Sequence, residues 1–250
     1  MATRKRLYFD IETSPCIGYF WRPSYKANIP YRNIIQESAI ICICYKWEGK
    51  EKVHALTWDK GDDRAMLEKF VKIAEKADEI VGHNGDRFDI KWVRARCIKH
   101  QIPMLPKYIT VDTLKGARGQ FLFNSNRLDY IAKFLDVGGK IETGGFDLWV
   151  DVMNGKRKAL RQMVEYCKND VVILEKVYDR MKNYLPHKSR PVGDDPSHAC
   201  PECGNPNPAL NKSYRTPSGI IRRQMRCSCG KNFTISNKIF MALLDWRRKH

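Results

Sequence analysis

Two acids, Asp10 and Glu12, stand two residues apart in the run LYFDIETSP at residues 7–15. Successive side chains of a strand point to opposite faces. Leu7, Phe9 and Ile11 therefore share one face, and Asp10 and Glu12 share the other. Like charges held that close in a partly buried place are costly unless a cation neutralises them. Two further segments offer acids in defined local settings. VGHNGDRFDIKW puts Asp89 just past a strand, in the opening of a helix, with Asn84 and Phe88 beside it. VEYCKNDVVILEKVY puts Tyr166 and Asp170 four residues apart on one helix face, alongside a buried apolar stripe.

Four carboxylates from a strand, a helix start and a late helix make an all-oxygen donor set of the kind that Mg²⁺ and Mn²⁺ prefer. Two such ions roughly 3.5–4 Å apart support in-line displacement at a phosphodiester. One helps to deprotonate and hold the attacking water, and the other stabilises the leaving 3′-oxygen. Tyr166, whose phenol is neutral at pH 7, would orient that water by a hydrogen bond and not act as a strong base. Asp112 is an extra acid at a strand end, read as the cap of the following turn. His54 and His83 are read as structural histidines. The plain alternative for the four acids is a set of surface or capping carboxylates.

A second constellation lies near the C-terminus. HACPECGNP gives Cys200-x-x-Cys203 and MRCSCGKNF gives Cys227-x-Cys229, with 23 residues between the pairs. Two thiolate pairs on tight turns make a closed tetrahedral Zn²⁺ site that can fold a segment too small for its own core. The intervening SYRTPSGIIRRQMRC reads as a hairpin around Ser218-Gly219. The pattern resembles a zinc ribbon, although its second pair is one residue shorter than the usual spacing. His198 is a substitute ligand to weigh. Because four ligands fill the coordination sphere, the zinc is structural. Arg215, Arg222, Arg223, Arg226, Lys231 and the closing DWRRKH make the segment basic. It is read as a phosphate-gripping module, with protein docking as the competing role.

The elements that must position these groups follow from periodicity. Strand-like runs cover 6–11, 38–47 and 51–58. A helix is predicted over 62–77, with Asp62 or Asp63 as cap and Met66, Leu67, Phe70, Val71 and Ala74 on its apolar face. A short strand at 79–83, a helix over 86–100, a strand near 108–112 and helices at 127–136 and 158–184 complete a mixed α/β pattern. Residues 13–37 form a long connection in which Tyr19, Phe20, Trp21, Tyr25 and Tyr31 interleave with Arg22, Lys26 and Arg32. That mixture suits stacking on single-stranded nucleic acid; equally, the aromatics could pin the connection to the body. Residues 186–198, rich in Pro, Gly and polar side chains, read as a linker.

Composition narrows the partner. The 250-residue chain carries a formal charge of +17, with 43% apolar residues, enough to build a core. Residues 186–250 hold 12 Lys and Arg against 4 Asp and Glu, so the last quarter is the more basic per residue. A polyanionic partner is expected. No run approaches membrane-span length, and MATRKRLYFD leads straight into a strand pattern without an apolar signal segment, which predicts an intracellular protein. Nine cysteines, an odd number, argue against a disulfide framework. Cys16, Cys42, Cys44, Cys97 and Cys167 read as small buried hydrophobes.

The motifs D-x-E at 10–12, N-x-x-x-F-D at 84–89 and Y-x-x-x-D at 166–170 resemble, in order, the three exonuclease motifs of the DEDD family. The tyrosine places the resemblance in the DEDDy branch, which includes the proofreading domains of family-B DNA polymerases and stand-alone phage-type relatives. VDTLKGAR at 111–118 and SNRLDYIAKFLDVGGKIETGGFDLW at 125–149 are similar to the region between the second and third motifs. The resemblance implies a ribonuclease H-like mixed sheet flanked by helices. It also implies a 3′→5′ exonuclease with two Mg²⁺ or Mn²⁺ ions on Asp10, Glu12, Asp89 and Asp170, and Tyr166 positioning the water. Asn84 and Phe88 would shape the site or contact the terminal nucleotide, while Arg222 and Arg223 would contact substrate from the ribbon.

The domains expected are an exonuclease domain over 1–185, a linker over 186–198 and a basic zinc ribbon over 199–250. DNA stands ahead of RNA as the substrate, with replication or recombination proteins as candidate partners. The cytoplasm of a bacterium or a phage-infected cell follows from the resemblance alone. Two rivals stay open: an RNase or structure-specific endonuclease of the same fold, and a non-catalytic nucleic-acid-binding protein.

Overall fold

A computed structural model of the chain describes residues 4–22, 29–139, 141–142, 144–186 and 195–250. Its larger sheet has five strands in the order β5-β4-β1-β6-β7. These are β1 (Arg6–Thr13), β4 (Ile40–Trp47), β5 (His54–Thr57), β6 (Glu79–Gly82) and β7 (Thr110–Asp112); the short strands β2 (Ile17–Gly18) and β3 (Ile34–Gln36) pair outside this sheet. β1 runs antiparallel to β4 and parallel to β6, and β7 is parallel to β6, so the sheet is mixed as expected. β4 reads as an unbroken apolar run, IICICYKW, because helices cover both of its faces.

The helices are α1 (Arg64–Ala74), α2 (Asp89–Lys99), α3 (Thr113–Gln120), α4 (Leu128–Phe134), α5 (Asp147–Met153) and α6 (Arg157–Met181). The alternation along β1 sorts them. Phe9 stacks on Phe70 of α1, ring centroids 5.2 Å apart, whereas Tyr8, one residue earlier, meets Tyr178 of α6 edge-on at 5.9 Å. α4 and α5 pack on α6. Asp10 and Glu12 thus point toward α6, on the face that the alternation assigned to them.

Several local expectations change. Asp63 occupies the N-cap position of α1, but its side chain makes no capping bond there. Its carboxylate accepts from Arg96 Nε (2.7 Å) and Nη2 (2.9 Å), His100 Nε2 (2.7 Å) and the Ile40 amide (3.0 Å), tying α1, α2 and β4 together. Asp62 instead accepts from the Arg64 amide at 3.0 Å. The short helices α3 and α5 were not foreseen. α3 forms despite two internal glycines because Asp112 caps it, accepting from the Leu114 and Lys115 amides; the capping role read for Asp112 holds.

The long connection is partly structured. β2 pairs with β3, Tyr19 N donates to Asn33 O, and Asn33 Nδ2 returns a bond to Tyr19 O. Tyr19, Phe20, Trp21 and Tyr31 are all exposed, so these aromatics do not pin the connection to the core. Tyr25 and Lys26 lie outside the described residues.

The C-terminal segment folds as a three-stranded antiparallel sheet, β8 (Ala209–Arg215), β9 (Ile221–Arg226) and β10 (Asn232–Ser236), followed by α7 (Asn237–Lys249). The hairpin around Ser218-Gly219 is present. α7 was not anticipated: Ser236 caps it, and it lays Phe240 and Leu243 over Met225 and Ile235. The segment therefore has a small apolar core in addition to its thiols. No helix among the described residues is long and apolar enough to cross a membrane.

Candidate metal-dependent active site and cysteine centre

β1 and α6 bring Asp10, Glu12 and Asp170 together, with ligand oxygens all within 4.8 Å of one another. Asp10 and Glu12 are half-buried, and Asp170 is 4% exposed. Three carboxylates at that spacing fit a divalent cation better than they fit one another. Tyr166, half-buried, sits one helical turn before Asp170 on the same face of α6.

Asp89 stands outside that tight set. As the first residue of α2 it is 3% exposed, and its Oδ1 accepts from the Ile11 amide at 3.2 Å, fixing it against β1 between the other two acids. Its carboxyl is pushed up to about 7, foremost by burial and further by the nearby Asp112 charge, against the pull of two backbone amides. The approach of α2 to β1 depends on a tight turn after β6. Asn84 adopts φ 67°, and its amide donates to Asp112 Oδ1 at 3.0 Å. A Cβ on Gly82 would lie 3.0 Å from the Gly85 Cα, so the turn brings the two backbones into close approach there. Phe88 remains 40% exposed, edge-on to Trp92, beside the site.

The histidines are structural. His83 Nε2 donates to Asn126 O at 3.0 Å, and its Nδ1 lies 2.9 Å from Thr113 Oγ1. His54 stacks on Tyr45. Sequence reasoning missed what lies beneath the carboxylates. Asp10 pairs across the strands with Cys44 and Glu12 with Cys42. The Cys167 thiol, on α6, donates to Asp10 O at 3.4 Å. These three buried thiols lie within 4.8 Å of one another, next to Asp10. Their i, i+2 spacing on β4 was the available signal.

The other cysteine group also assembles. Cys200, Cys203, Cys227 and Cys229 are mutually within 4.8 Å, with Sγ–Sγ separations of 3.7 Å (Cys200–Cys229) and 3.5 Å (Cys203–Cys227). Zn–S bonds of about 2.3 Å in a tetrahedron require sulfurs about 3.8 Å apart, so the four thiols fit zinc. The shortened pair still makes its turn: Gly230 N donates to Cys227 O and Cys227 N to Lys231 O. His198 is not in this group. It is buried against Trp246.

A family model described as RNase_H superfamily matches residues 35–182. The chain belongs to the RNase_H superfamily. The match includes Asp89, Tyr166 and Asp170 and begins after the strand that carries Asp10 and Glu12. Among solved structures, the family B DNA polymerase of the hyperthermophilic archaeon Pyrobaculum calidifontis superposes with a TM-score of 0.54 at 16% identity, covering 73% of this chain. The similarity spans 25% of that polymerase and is one of fold. No curated protein matches. Superfamily membership and fold together support a nuclease-type function.

In this RNase_H-superfamily chain the basic C-terminal residues divide into two kinds. Lys231 is not a surface phosphate contact: it is 1% exposed, and its Nζ donates to Lys182 O (2.5 Å) and Leu185 O (2.7 Å) just beyond α6. Arg223 is committed locally. Its guanidinium donates to Asn237 Oδ1 and Ser213 Oγ and lies over the Phe240 ring, holding α7 to the small sheet. Arg222 is half-buried, with no side-chain bond among the described residues. Glu202, between the first two cysteines, reaches the other way. It lies 3.2 Å from Arg6 Nη1 and accepts from Tyr178 Oη. Arg6, itself 1% exposed, also pairs with Glu79 and Glu48.

Proposed function

We propose that the chain is a DEDDy-type 3′→5′ exonuclease that hydrolyses phosphodiester bonds of DNA, favouring single-stranded 3′ ends. Its exonuclease domain would cover residues 1–185, and a zinc ribbon over 199–250 would assist nucleic-acid binding. The observation carrying this reading is the convergence of Asp10, Glu12 and Asp170 beside Tyr166, with buried Asp89 fixed against the same strand. Asp10, Glu12, Asp89 and Asp170 would hold two Mg²⁺ or Mn²⁺ ions. When bound, such ions supply a nucleophilic hydroxide and offset charge on the phosphoryl and leaving oxygens. Tyr166 would donate a hydrogen bond that orients the attacking water toward phosphorus, and the 3′-oxygen of the penultimate nucleotide would leave. Phe88, exposed at the rim, offers a stacking face to the terminal base. The four cysteines would hold one Zn²⁺ structurally, and Arg222 with the exposed Arg226 would meet phosphate.

The test is cleavage of a 5′-labelled single-stranded DNA oligomer with Mg²⁺, Mn²⁺ or EDTA, beside RNA of the same sequence and a circular single strand. A ladder shortening from the 3′ end, abolished by EDTA, with the circle intact, is expected. A cut circle would indicate internal cleavage, and preferential loss of the RNA would indicate an RNase. Binding without cleavage under any metal would reduce the chain to a nucleic-acid-binding protein.

A further inference from the structure

Asp10 and Asp170 open into a cleft of about 730 Å³ whose other wall carries Arg118, Arg127, Asn124 and Ser125. Arg118 lies in the last turn of α3, and Arg127 is the extended residue (φ −71°, ψ 142°) that precedes α4. Both are exposed, and among the described residues neither guanidinium enters an ion pair or side-chain hydrogen bond. The neighbouring acids are already committed, Asp86 to Lys115 at 2.5 Å and Asp129 to Lys133 at 2.9 Å. Two cations left without carboxylate partners on one wall, facing carboxylates on the floor, give a cleft with opposite charges at rim and base. A phosphodiester strand approaching the acids would be repelled by them unless the rim attracts it first.

We infer that Arg118 and Arg127 form a clamp for the backbone phosphates of a single strand entering the carboxylate cleft. The inference rests on the exonuclease reading for what happens to the strand afterwards. The planar guanidinium fork matches phosphate oxygens two at a time, and Asn124 and Ser125 add neutral donors between the two arginines. The wall is built in advance. Asp112 caps α3, and His83 joins Thr113 at the start of that helix to Asn126, the residue before Arg127. Phe121 stacks on Phe123, and Phe123 meets Phe134 of α4, which fixes the segment between the two arginines. A clamp on a pre-ordered wall spends little binding energy on ordering its own backbone.

The experiment uses the full chain in an Asp170→Asn background and measures anisotropy of 5′-fluorescein (dT)12 across a NaCl series. Arg118→Gln and Arg127→Gln should each weaken binding about 3–10-fold and reduce the slope of log K against log[NaCl] by about 0.7. Lys72→Gln, on the exposed side of α1, removes the same charge elsewhere and should change neither quantity. Arg127→Lys should keep the salt slope while losing part of the affinity. An unchanged Kd and slope in the Arg118→Gln/Arg127→Gln double variant would overturn the clamp, as would an equal effect of Lys72→Gln or failure of the background protein to bind the oligomer. If the arginine variants lose binding while the parent chain cleaves nothing, the clamp stands and the exonuclease reading falls.

Discussion

Asp170 and Tyr166 are one turn apart on α6, yet their expected contributions differ in kind. Asp170 completes a three-carboxylate cluster with Asp10 and Glu12. Without its charge the proposed pair of cations would lose a carboxylate from the cluster they need, so Asp170→Asn should abolish cleavage of a labelled DNA oligomer while the oligomer still binds. On the proposed mechanism Tyr166 would offer one hydrogen bond to a water that the acids and their ions would activate. Tyr166→Phe should therefore slow single-turnover cleavage by about 10–100-fold, a modest share of what proton-handling groups supply, with binding unchanged. Loss as complete as that in Asp170→Asn would make the phenol a proton-transferring group. The clustering of Asp10, Glu12 and Asp170 was legible because their types and intervals are chemically restrictive. Cys167 was not, because a thiol bonded to a backbone oxygen of Asp10 has the sequence signature of any buried cysteine.

Among the elements, the long, strongly patterned ones were the readable ones. β1, β4, α1 and α6 fall within a few residues of their expected bounds, since each buries a face of matching period. α3 and α7 were obscured for separate reasons. TLKGARGQ contains two glycines and owes its helix to a cap, while the apolar stripe of NKIFMALLDWRRK is short and runs into a basic cluster. Asp63 shows how a tertiary partner redirects a local signal. Burial alone would raise its pKa, but the bonds from Arg96, the Ile40 amide and His100 together hold it below the ordinary carboxylate value. The native state therefore favours the ionised form. Its stabilising contribution is full above the unfolded value of about 3.9 and fades as pH falls through the depressed native one. Asp63→Asn should cost about 3–5 kcal/mol at pH 7, because it leaves buried Arg96 without its counter-charge. The gap between variant and parent should narrow below about pH 4, as read by urea denaturation at each pH; a constant gap would mean the effect is steric.

The sequence suggested two bodies on a string, and the contacts describe a closer union. The expected linker falls largely on residues 187–194, outside those described, but Leu185 on one side and His198 and Ala199 on the other are buried. Glu202 meets buried Arg6, and Lys231 closes on the carbonyls just past α6. Both residues are near the cysteines proposed to hold zinc, so losing that metal should disturb the larger body as well. Adding a zinc-selective chelator, with Mg²⁺ present, should lower the melting temperature of the entire chain in a single calorimetric transition. Glu202→Ala should lower it by roughly 3–10 °C, the equivalent of about 1–3 kcal/mol for a buried polar group left short of a partner. A separate early transition with the main one unmoved would restore the picture of a tethered ribbon. Deleting residues 186–250 would for the same reason strip partners from Arg6 and α6, as well as removing basic charge.

α6 touches both centres: Tyr166 and Asp170 serve the carboxylates, and Tyr178 with the carbonyls beyond Met181 receives the C-terminal segment. A helix turns about 100° and rises about 1.5 Å with every residue. One residue gained or lost between Asp170 and Tyr178 would swing one set of contacts out of phase with the other, whatever amino acid was involved. Variation in length among related chains should therefore collect in the connections on either side of α6 and leave that eight-residue interval untouched.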